Sequence, residues 1–373
     1  MSSDPVRKPR VAIVFGGRSS EHSVSCASAA SVLRAIDRDS YDVVPVGIAK
    51  DGRWVLVADD PAALDLSPGQ LPEVDGSGDS VLVPMATTDH ALRVAAAGEV
   101  PRVLSDVDVV FPLLHGPWGE DGTIQGMLDL ADVRYVGSGV LASAAGMDKH
   151  FMKVIFAGHG LPVGPYAVIT DRAWLADPAA ALDAGCSMGF PVFVKPARAG
   201  SSMGITRVAS ADDLEAAIIA AREHDPKVLV EAAIVGREIE CAVLQGRGVE
   251  PPRTSQVGEI RVVRGHDFYD FEAKYLSESD VELVCPADVP GDIADEVRRL
   301  AAAAFNSLGC EGLARVDCFY TDDGRVVLNE INTMPGFTSL SMYPRMWAES
   351  GLSYHDLVDE LIALALQRRV GLR

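Results

Sequence analysis

Short apolar runs separated by small and polar residues set the pattern of the first third of the chain. Residues 11–15 predict a buried strand that ends at Gly16-Gly17, residues 25–36 have helical spacing, and residues 43–48 predict a second strand. A further strand is predicted over residues 107–114 and leads into His115. Alternating strands and helices favour a parallel α/β lobe, which we assign to residues 1–137.

Residues 57–100 break this pattern. They are rich in Asp, Pro, Gly and Ala, and their apolar positions show only weak periodicity. We therefore expect an irregular insertion or a poorly regular sub-segment there.

Strands followed by helices characterise the remainder of the chain. Strands are predicted over residues 191–195, 205–208, 228–231, 258–263, 314–320 and 325–331, and helices over residues 212–223, 293–308 and 355–367. This order favours two α+β lobes over one continuous doubly wound sheet. We divide them into a central lobe, residues 138–232, and a C-terminal lobe, residues 233–373.

The composition narrows the class of protein. A chain of 373 residues that is 48% hydrophobic and 23% charged has ample core for two or three domains. Its 33 basic and 53 acidic residues give a formal net charge of −20, which argues against nucleic acid and anionic membranes as general partners. The scattered cysteines fit a reducing compartment, and no apolar run is long enough for a signal peptide or a membrane span. We expect a cytoplasmic protein.

The most specific cluster of polar residues lies near the C-terminus. If Asp323-Gly324 forms a two-residue hairpin turn, Asp317 faces Glu330 and Arg315 faces Asn332, with all four side chains on one face. Two opposed carboxylates repel each other unless a cation lies between them, and oxygen ligands of this kind suit Mg²⁺. Arg315 is suited to stabilise negative charge on a reacting oxygen. A solvated polar hairpin is the alternative, and the apolar flanks disfavour it.

Lysine is scarce, so a lysine inside a motif is informative. Lys195 ends a predicted strand and precedes a loop of small residues, 200–204, whose backbone N–H groups could enclose a phosphate; an ordinary hairpin is equally compatible. Lys149 opens a helical segment. Glu231 and Glu238 bracket a short connection of the kind expected for a hinge that binds a ribose.

The N-terminal lobe carries a third cluster. Glu21 and His22 lie in a loop between a predicted strand and helix, where a helix N-terminus favours an anionic ligand. His115 lies at the end of another strand, where α/β sheets bind ligands. A lone histidine there is usually structural, but the neighbouring loop residues favour His115 as part of a site.

Together these segments resemble the D-alanine–D-alanine ligase family of the ATP-grasp superfamily. In family order they read GGRSSEHSVS, HGPWGEDG, GMDK, VKPARAGSSMG, DFEAKY and RVD…NEINTMPGFTSLS. The resemblance implies an α/β multi-domain protein: an N-terminal parallel α/β lobe followed by two α+β lobes of an ATP-grasp fold, with ATP between those two. It also implies ATP-dependent joining of two D-alanine molecules through a D-alanyl phosphate, for peptidoglycan precursor synthesis.

The resemblance further implies roles for individual residues. Two Mg²⁺ (or Mn²⁺) ions would be held by Asp317, Glu330 and Asn332. ATP would be bound by Lys149, Lys195, Ser202, Glu231, Ala233, Ile234, Glu238, Lys274 and Asn329. The substrates would be bound by Glu21, His115, Arg315, Gly336, Ser341 and Met342, and the catalytic set would comprise Glu21, Ser201, Tyr275, Arg315 and His115. A mobile loop over residues 265–281 would close over the reactants.

One position departs from the family pattern. Many relatives have a lysine directly after the hinge glutamate, whereas this chain has Ala232-Ala233. Adenine recognition would then depend more on backbone groups around Ile234.

Two other functions remain open at this point. One is another ATP-grasp carboxylate–amine or D-alanine–D-lactate-type ligase, although the pair Lys274-Tyr275 favours dipeptide formation. The other is a nucleotide-binding regulatory protein with a degenerate site, which has no need for Arg315 beside the acidic residues. The family also suggests a homodimer.

Overall fold

The described part of the chain forms three β-sheets. The computed structural model describes residues 7–66, 71–83, 87–95, 102–262 and 281–371. Within these ranges the sheets contain eight, four and five strands. This confirms the mixed α/β architecture predicted from the sequence.

The first sheet has a parallel centre. Its strands are β1 (Arg10–Gly16), β2 (Asp42–Ile48), β3 (Trp54–Leu56), β4 (Ser80–Leu82), β5 (Ala91–Ala95), β6 (Arg102–Asp106), β7 (Val109–Pro112) and β8 (Arg134–Tyr135). They lie in the order β6-β5-β4-β3-β2-β1-β7-β8. The pairs β1–β2, β1–β7 and β7–β8 are parallel. Helices α1 (His22–Ala35) and α2 (Thr123–Leu130) follow β1 and β7, so polar residues in both strand-to-helix loops meet at one sheet edge.

The prediction of an irregular insertion over residues 57–100 was wrong for part of that range. Strands β4 and β5 pair antiparallel with each other and connect β3 to β6, extending the sheet. They contain only three and five residues, too few to produce a clear alternation of apolar and polar positions.

The second sheet is antiparallel and small. Its strands are β9 (Tyr166–Ile169), β10 (Val192–Pro196), β11 (Thr206–Val208) and β12 (Val228–Ala232), in the order β11-β10-β12-β9. The helices of this part are α3 (Val140–Met147), α4 (Lys149–Gly158), α5 (Asp171–Ala176), α6 (Pro178–Cys186) and α7 (Leu214–Arg222). Residues of α6 and α7 form an apolar core with one face of the sheet, which leaves the other face for Lys195 and Glu231.

The third sheet is also antiparallel. Its strands are β13 (Gly236–Leu244), β14 (Arg253–Val262), β15 (Val281–Val284), β16 (Leu313–Thr321) and β17 (Val326–Asn332), in the order β15-β14-β13-β16-β17. Helices α8 (Gly291–Leu308), α9 (Met342–Glu349) and α10 (Tyr354–Gln367) complete this part. Apolar residues of α8 pack on one face of the sheet. Residues of α9 and α10 share a core with the first sheet, so the end of the chain packs against its beginning.

The β16–β17 hairpin has the facing pairs predicted from the sequence, although its turn differs. Asp317 faces Glu330 and Arg315 faces Asn332. The predicted two-residue turn was wrong: Thr321 donates its N–H to Arg325 O across a three-residue loop. Cys318 then faces Leu328, and Asn329 is an extra residue that restores the predicted register. This β-bulge allows two successive side chains, at 329 and 330, to face the same cavity.

Two expectations drawn from the composition concern cysteines and membranes. All six cysteines are free thiols. Over the described ranges, no helix combines the length and the apolar character needed to cross a membrane.

Candidate active site

One cavity is lined by residues from all three lobes, and it brings most of the predicted site residues together. Its lining includes Glu21, His115, Lys149, Lys195, Ser201, Ser202, Glu238, Arg315, Asp317, Asn329, Glu330, Asn332, Gly336, Ser341 and Met342. A second cavity shares Lys195, Glu238 and Asn329 with the first and adds Glu231 and Ile234. Ala233 is not among the lining residues of either cavity. Lys274 and Tyr275 lie outside the described residues.

Glu21 lies at the contact between the first and second lobes. Its side chain is buried, and Ser201 Oγ donates a hydrogen bond to its Oε1 atom. A Cβ atom added to Gly116 or to Gly200 would lie only 2.6 Å from Glu21 Oε2. Glycine at these two positions therefore lets two loops close around one carboxylate.

The loop that carries Ser201 has an unusual backbone. Ser201 and Ser202 have φ angles of 46° and 58°. These angles lie in the left-handed region of backbone conformation, which residues other than Gly, Asn and Asp rarely adopt. Each such residue costs about 1–3 kcal/mol. The conformation directs Ser201 Oγ at Glu21, so this strain accompanies a specific contact between lobes.

His115 connects the first sheet to the loop over residues 333–341. The imidazole is buried, with Nε2 3.0 Å from Ser28 Oγ and Nδ1 3.1 Å from Met334 O. Burial lowers the pKa of His115 from its usual value, which favours the neutral ring. His115 thus lines the cavity from a fixed position.

Glu120 is a site-region residue that the sequence analysis did not single out, although it lies in the HGPWGEDG motif. Its Oε1 atom accepts a 2.7 Å hydrogen bond from Gly116 N and lies 3.9 Å from His115 Nδ1. Burial, with the nearby negative charge of Glu21, raises the pKa of Glu120 to about 8. Glu120 lines the cavity, so its raised pKa favours the protonated form of a carboxyl group there.

A row of acidic residues crosses the third sheet. Glu240 faces Asp317 on β16, and Asp317 faces Glu330 on β17. Glu240 was missed because β13 was not predicted as a strand, which hid the two-residue spacing from Glu238. The three residues lie side by side on the face that lines the cavity.

Arg315 supplies the positive charge in this row. It donates from Nε to Asp317 Oδ1 and from Nη2 to Asp317 Oδ2, both at 2.7 Å, and its Nε lies 3.2 Å from Glu240 Oε1. Burial alone would lower the pKa of Arg315, but Asp317 and Glu240 raise it well above the usual value. The guanidinium is permanently charged and held in one orientation.

The predicted metal ligands adjoin one another. Asn332 Nδ2 donates to Asp317 Oδ2 at 3.0 Å, and Lys149 Nζ lies 3.7 Å from Glu330 Oε2. Within the described part of the chain, no group of three or more His, Cys, Asp and Glu side chains is arranged to hold a metal. The expected set is two carboxylates and a carboxamide, and oxygen donors of this type fit Mg²⁺ or Mn²⁺.

Two lysines converge on Glu231. Lys195 Nζ lies 2.8 Å from Glu231 Oε2, and Lys153 Nζ lies 3.3 Å from Glu231 Oε1. Burial would raise the pKa of Glu231, but the two ammonium groups lower it to about 2. Lys153 was missed, although it is four residues after Lys149 and lies on the same face of α4. The carboxylate expected at the nucleotide end of the site therefore fixes two cations.

The loop after β17 closes the far side of the cavity. Ser341 Oγ lies 2.7 Å from Thr338 Oγ1 and accepts from Thr338 N at 3.1 Å. Met342 begins α9 and packs against Gly258, where an added Cβ atom would lie 2.6 Å from its Sδ atom. Gly336, Ser341 and Met342 therefore reach the cavity from one short segment.

Comparisons with known proteins agree with this architecture. The family models described as D-ala D-ala ligase N-terminus and C-terminus match residues 10–138 and 155–363. The D-alanine–D-alanine ligase of Arthrobacter sp. (strain FB24) is 63% identical over 367 residues, covering 98% of this chain and 96% of that protein. That of Paenarthrobacter aurescens (strain TC1) is 61% identical over 373 residues, covering 100% and 99%.

Two solved structures have the same fold. VanG D-Ala:D-Ser ligase from Enterococcus faecalis superposes with a TM-score of 0.83 at 35% identity, covering 96% of this chain and 100% of that one. The D-alanine–D-alanine ligase from Coxiella burnetii gives a TM-score of 0.81 at 33% identity, covering 97% and 94%. The chain belongs to the D-alanine–D-alanine ligase family and has its ATP-grasp fold.

Proposed function

We propose that the cavity described above is the catalytic site of ATP-dependent D-alanine–D-alanine ligation. The protein joins two D-alanine molecules for peptidoglycan synthesis, the activity of its close relatives. The single observation that carries the site assignment is the meeting of Glu21–Ser201, from two lobes, with Arg315–Asp317, from the third, around one cavity.

Glu21 is the proposed partner of the ammonium group of the first D-alanine. Its side chain is buried, lies beside Gly116 and Gly200, and lines the cavity. His115 lines the same pocket. Arg315 and the backbone at Gly336 stabilise the negative charge that develops on the reacting carboxyl oxygens.

The first step is a phosphoryl transfer. A carboxylate oxygen of the first D-alanine forms a bond to the γ-phosphorus of ATP, and the bond from that phosphorus to the β,γ-bridging oxygen breaks, releasing ADP. Lys149, Lys195 and the Ser202 loop hold the phosphates, with Lys195 itself oriented by Glu231. Lys274 is predicted to assist but lies outside the described residues.

Asp317, Glu330 and Asn332 are the proposed residues that would hold two Mg²⁺ or Mn²⁺ ions, and these ions would offset negative charge on the phosphoryl group. The facing register of Asp317 and Glu330 and the chemistry of the three donors support this assignment.

The second step forms the peptide bond. The amine of the second D-alanine attacks the acyl carbon of D-alanyl phosphate, the C–N bond forms, and the C–O bond to phosphate breaks as phosphate leaves and the nitrogen loses a proton. Ser341 and Met342 are the proposed residues that orient this second substrate. The catalytic role of Tyr275 and the closure of the loop over residues 265–281 stay predictions, since both involve residues outside the described ranges.

The second cavity is the proposed binding site for adenine and ribose. Ile234, Glu238 and Asn329 line it, as does Glu231, which lies between the two lysines. Contacts from the backbone near Ala233 stay a prediction.

Three further proposals follow from the family. The N-terminal lobe is residues 1–137, the central lobe 138–232 and the C-terminal lobe 233–373, a division that the three separate sheets support. The protein acts in the cytoplasm, where ATP is available, and it forms a homodimer.

Phosphate release from ATP and Mg²⁺ tests the function directly. Release should require D-alanine and yield D-alanyl-D-alanine. L-alanine, D-lactate with D-alanine, D-serine with D-alanine, and no acceptor form the comparison; D-serine is included because VanG is a D-Ala:D-Ser ligase. Bound ATP without D-alanine-dependent release would contradict the proposal and favour a nucleotide-binding protein. If the main product is the ester D-alanyl-D-lactate or the dipeptide D-alanyl-D-serine, the second substrate is D-lactate or D-serine and not D-alanine.

A further inference from the structure

Residues 71–76, which we term the strap, cross the ends of β1 and β2 beside the loop that carries Glu21. Val74 in the strap is 4% exposed. A Cβ atom added to Gly16 or Gly47 would lie 2.8 or 2.6 Å from a Val74 methyl group, so these two glycines form the hole that Val74 fills. The strap is also held at the surface by an ion pair of 2.7 Å between Lys50 and Glu73.

The imidazole of His22 connects the strap to the loop. His22 is 1% exposed, with Nε2 2.9 Å from Val74 N and Nδ1 2.6 Å from Gly17 O. Because Val74 N is an N–H donor, Nε2 must accept, and the ring proton must be on Nδ1, which donates to Gly17 O. One neutral tautomer therefore satisfies both main-chain groups.

The loop between Gly17 and His22 is short and fixed at several points. Gly17 N donates to Ile48 O at 2.7 Å, and His22 N donates to Ser19 O at 3.3 Å. Ser19 Oγ accepts from Glu21 N at 3.2 Å and donates to His115 O at 2.7 Å. A shift of Gly17 O would therefore move the short stretch of backbone that holds Glu21 in place.

We propose that His22 is a positioning residue for the pocket of the first D-alanine and that the strap is its anchor. It acts through the main chain of residues 17–21 and does not touch the substrate. This inference rests on the proposed role of Glu21. It also assigns a role to part of residues 57–100, whose apolar positions show only weak periodicity in the sequence.

Two substitutions separate the two hydrogen bonds of the ring. His22→Asn supplies an amide N–H near the position of Nδ1 and retains the bond to Gly17 O, whereas His22→Gln supplies an amide oxygen near the position of Nε2 and retains the bond to Val74 N. We expect each to raise the half-saturating concentration for the first D-alanine about tenfold. Those for ATP and for the second D-alanine, and kcat, should change less than twofold. His355→Asn, at an exposed histidine, is the control.

A merely structural role predicts a different result. If His22 only fills space, the variants lose folded enzyme, so the apparent kcat falls while all three half-saturating concentrations stay unchanged, or no kinetic constant changes at all. Either pattern overturns the proposal.

Amide hydrogen exchange without substrates tests the anchor independently of the reaction. Exchange over residues 16–21 should rise more in His22→Gln, and exchange over residues 71–76 more in His22→Asn. Unchanged exchange in both variants overturns the anchor whatever the activity. A wild-type protein that does not use D-alanine overturns the proposed function instead, and with it the pocket assignment, while the exchange result still decides the link between strap and loop.

Discussion

Arg315 and Asp317, two residues apart on β16, are joined by two parallel hydrogen bonds of 2.7 Å. Such a bidentate pair fixes both the distance and the plane of the guanidinium. The same guanidinium lies 3.2 Å from Glu240, so its charge is shared by two carboxylates inside the cavity. A preorganised cation of this kind needs no rearrangement when negative charge develops beside it.

Arg315→Lys should fold but lose activity. A lysine supplies the charge but cannot make the planar bidentate contact, so we expect kcat to fall about 100-fold or more. Steady-state kinetics measures the loss, and thermal unfolding monitors the fold. Arg299→Lys is a matched control, because Arg299 makes an exposed pair with Glu296. A kcat within threefold of wild type would show that Arg315 has no special role.

Two substitutions at Ser201 separate the cost of its left-handed backbone from the effect of its hydrogen bond to Glu21. Ser201→Ala and Ser201→Gly both remove the hydrogen bond to Glu21, but only glycine adopts a φ of 46° without strain. We expect the glycine variant to be more stable than the alanine variant by about 1 kcal/mol in urea unfolding. Both should raise the half-saturating concentration for the first D-alanine. Equal stability of the two variants would mean that the left-handed backbone at this residue carries no cost.

Glu231→Gln should change the acid stability. The pKa of Glu231 is about 2 in the folded protein, below the usual value of 4.5 for a free glutamate. Between these values the unfolded chain binds more protons, so wild-type stability falls as pH drops from about 4.5 to 2, by about 1 kcal/mol per pH unit from this residue. The variant should lack that component and also be less stable at pH 7, because Lys153 and Lys195 lose their partner. Urea unfolding from pH 3 to 7 compares the two; parallel curves would refute the coupling.

For Glu120 we expect the stability of the protein to depend on pH with the opposite sign. Its pKa is about 8 in the folded protein, above the usual 4.5, so the folded state binds the extra proton between these values. Stability should therefore fall as pH rises from about 5 to 8, by about 1 kcal/mol per pH unit from this residue. Glu120→Gln mimics the protonated form and should remove that slope. An unchanged slope in urea unfolding over this range would indicate that Glu120 is ionised at pH 7.

The sequence was most informative where local geometry repeats. The facing pair Asp317–Glu330 followed from strand periodicity and hairpin chemistry. The prediction succeeded because two deviations cancelled: the turn contains one residue more on one side, and the bulge at Asn329 compensates for it. In a single sequence, Asp-Gly favours a regular two-residue hairpin turn. No feature of the sequence predicts the longer turn or the bulge more strongly than that.

The sequence was least informative where contacts join distant segments. The hydrogen bond between Val74 and His22 joins residues that are 52 positions apart in the sequence. The strap has no periodic pattern of apolar residues from which this contact could be predicted. Glu231 and Lys153 illustrate the same limit, since their ion pair depends on how α4, which packs in the core of the third sheet, is placed beside β12 of the second sheet. Tertiary packing determines these contacts, and residue types alone do not.

The bulge at Asn329 can be tested by comparing a deletion with a substitution. Deleting Asn329 leaves Leu328 facing Cys318 and Glu330 facing Asp317 in a regular ladder, so the hairpin should still fold. Asn329→Ala retains the bulge and removes only the side chain, and should raise the KM for ATP. The deletion should raise the KM for ATP by the same factor. It should also lower kcat at least tenfold more than the substitution does, because a bulge sets the local twist of the strand and with it the direction of Glu330. Equal kcat values for the two variants would show that the bulge serves only to present Asn329.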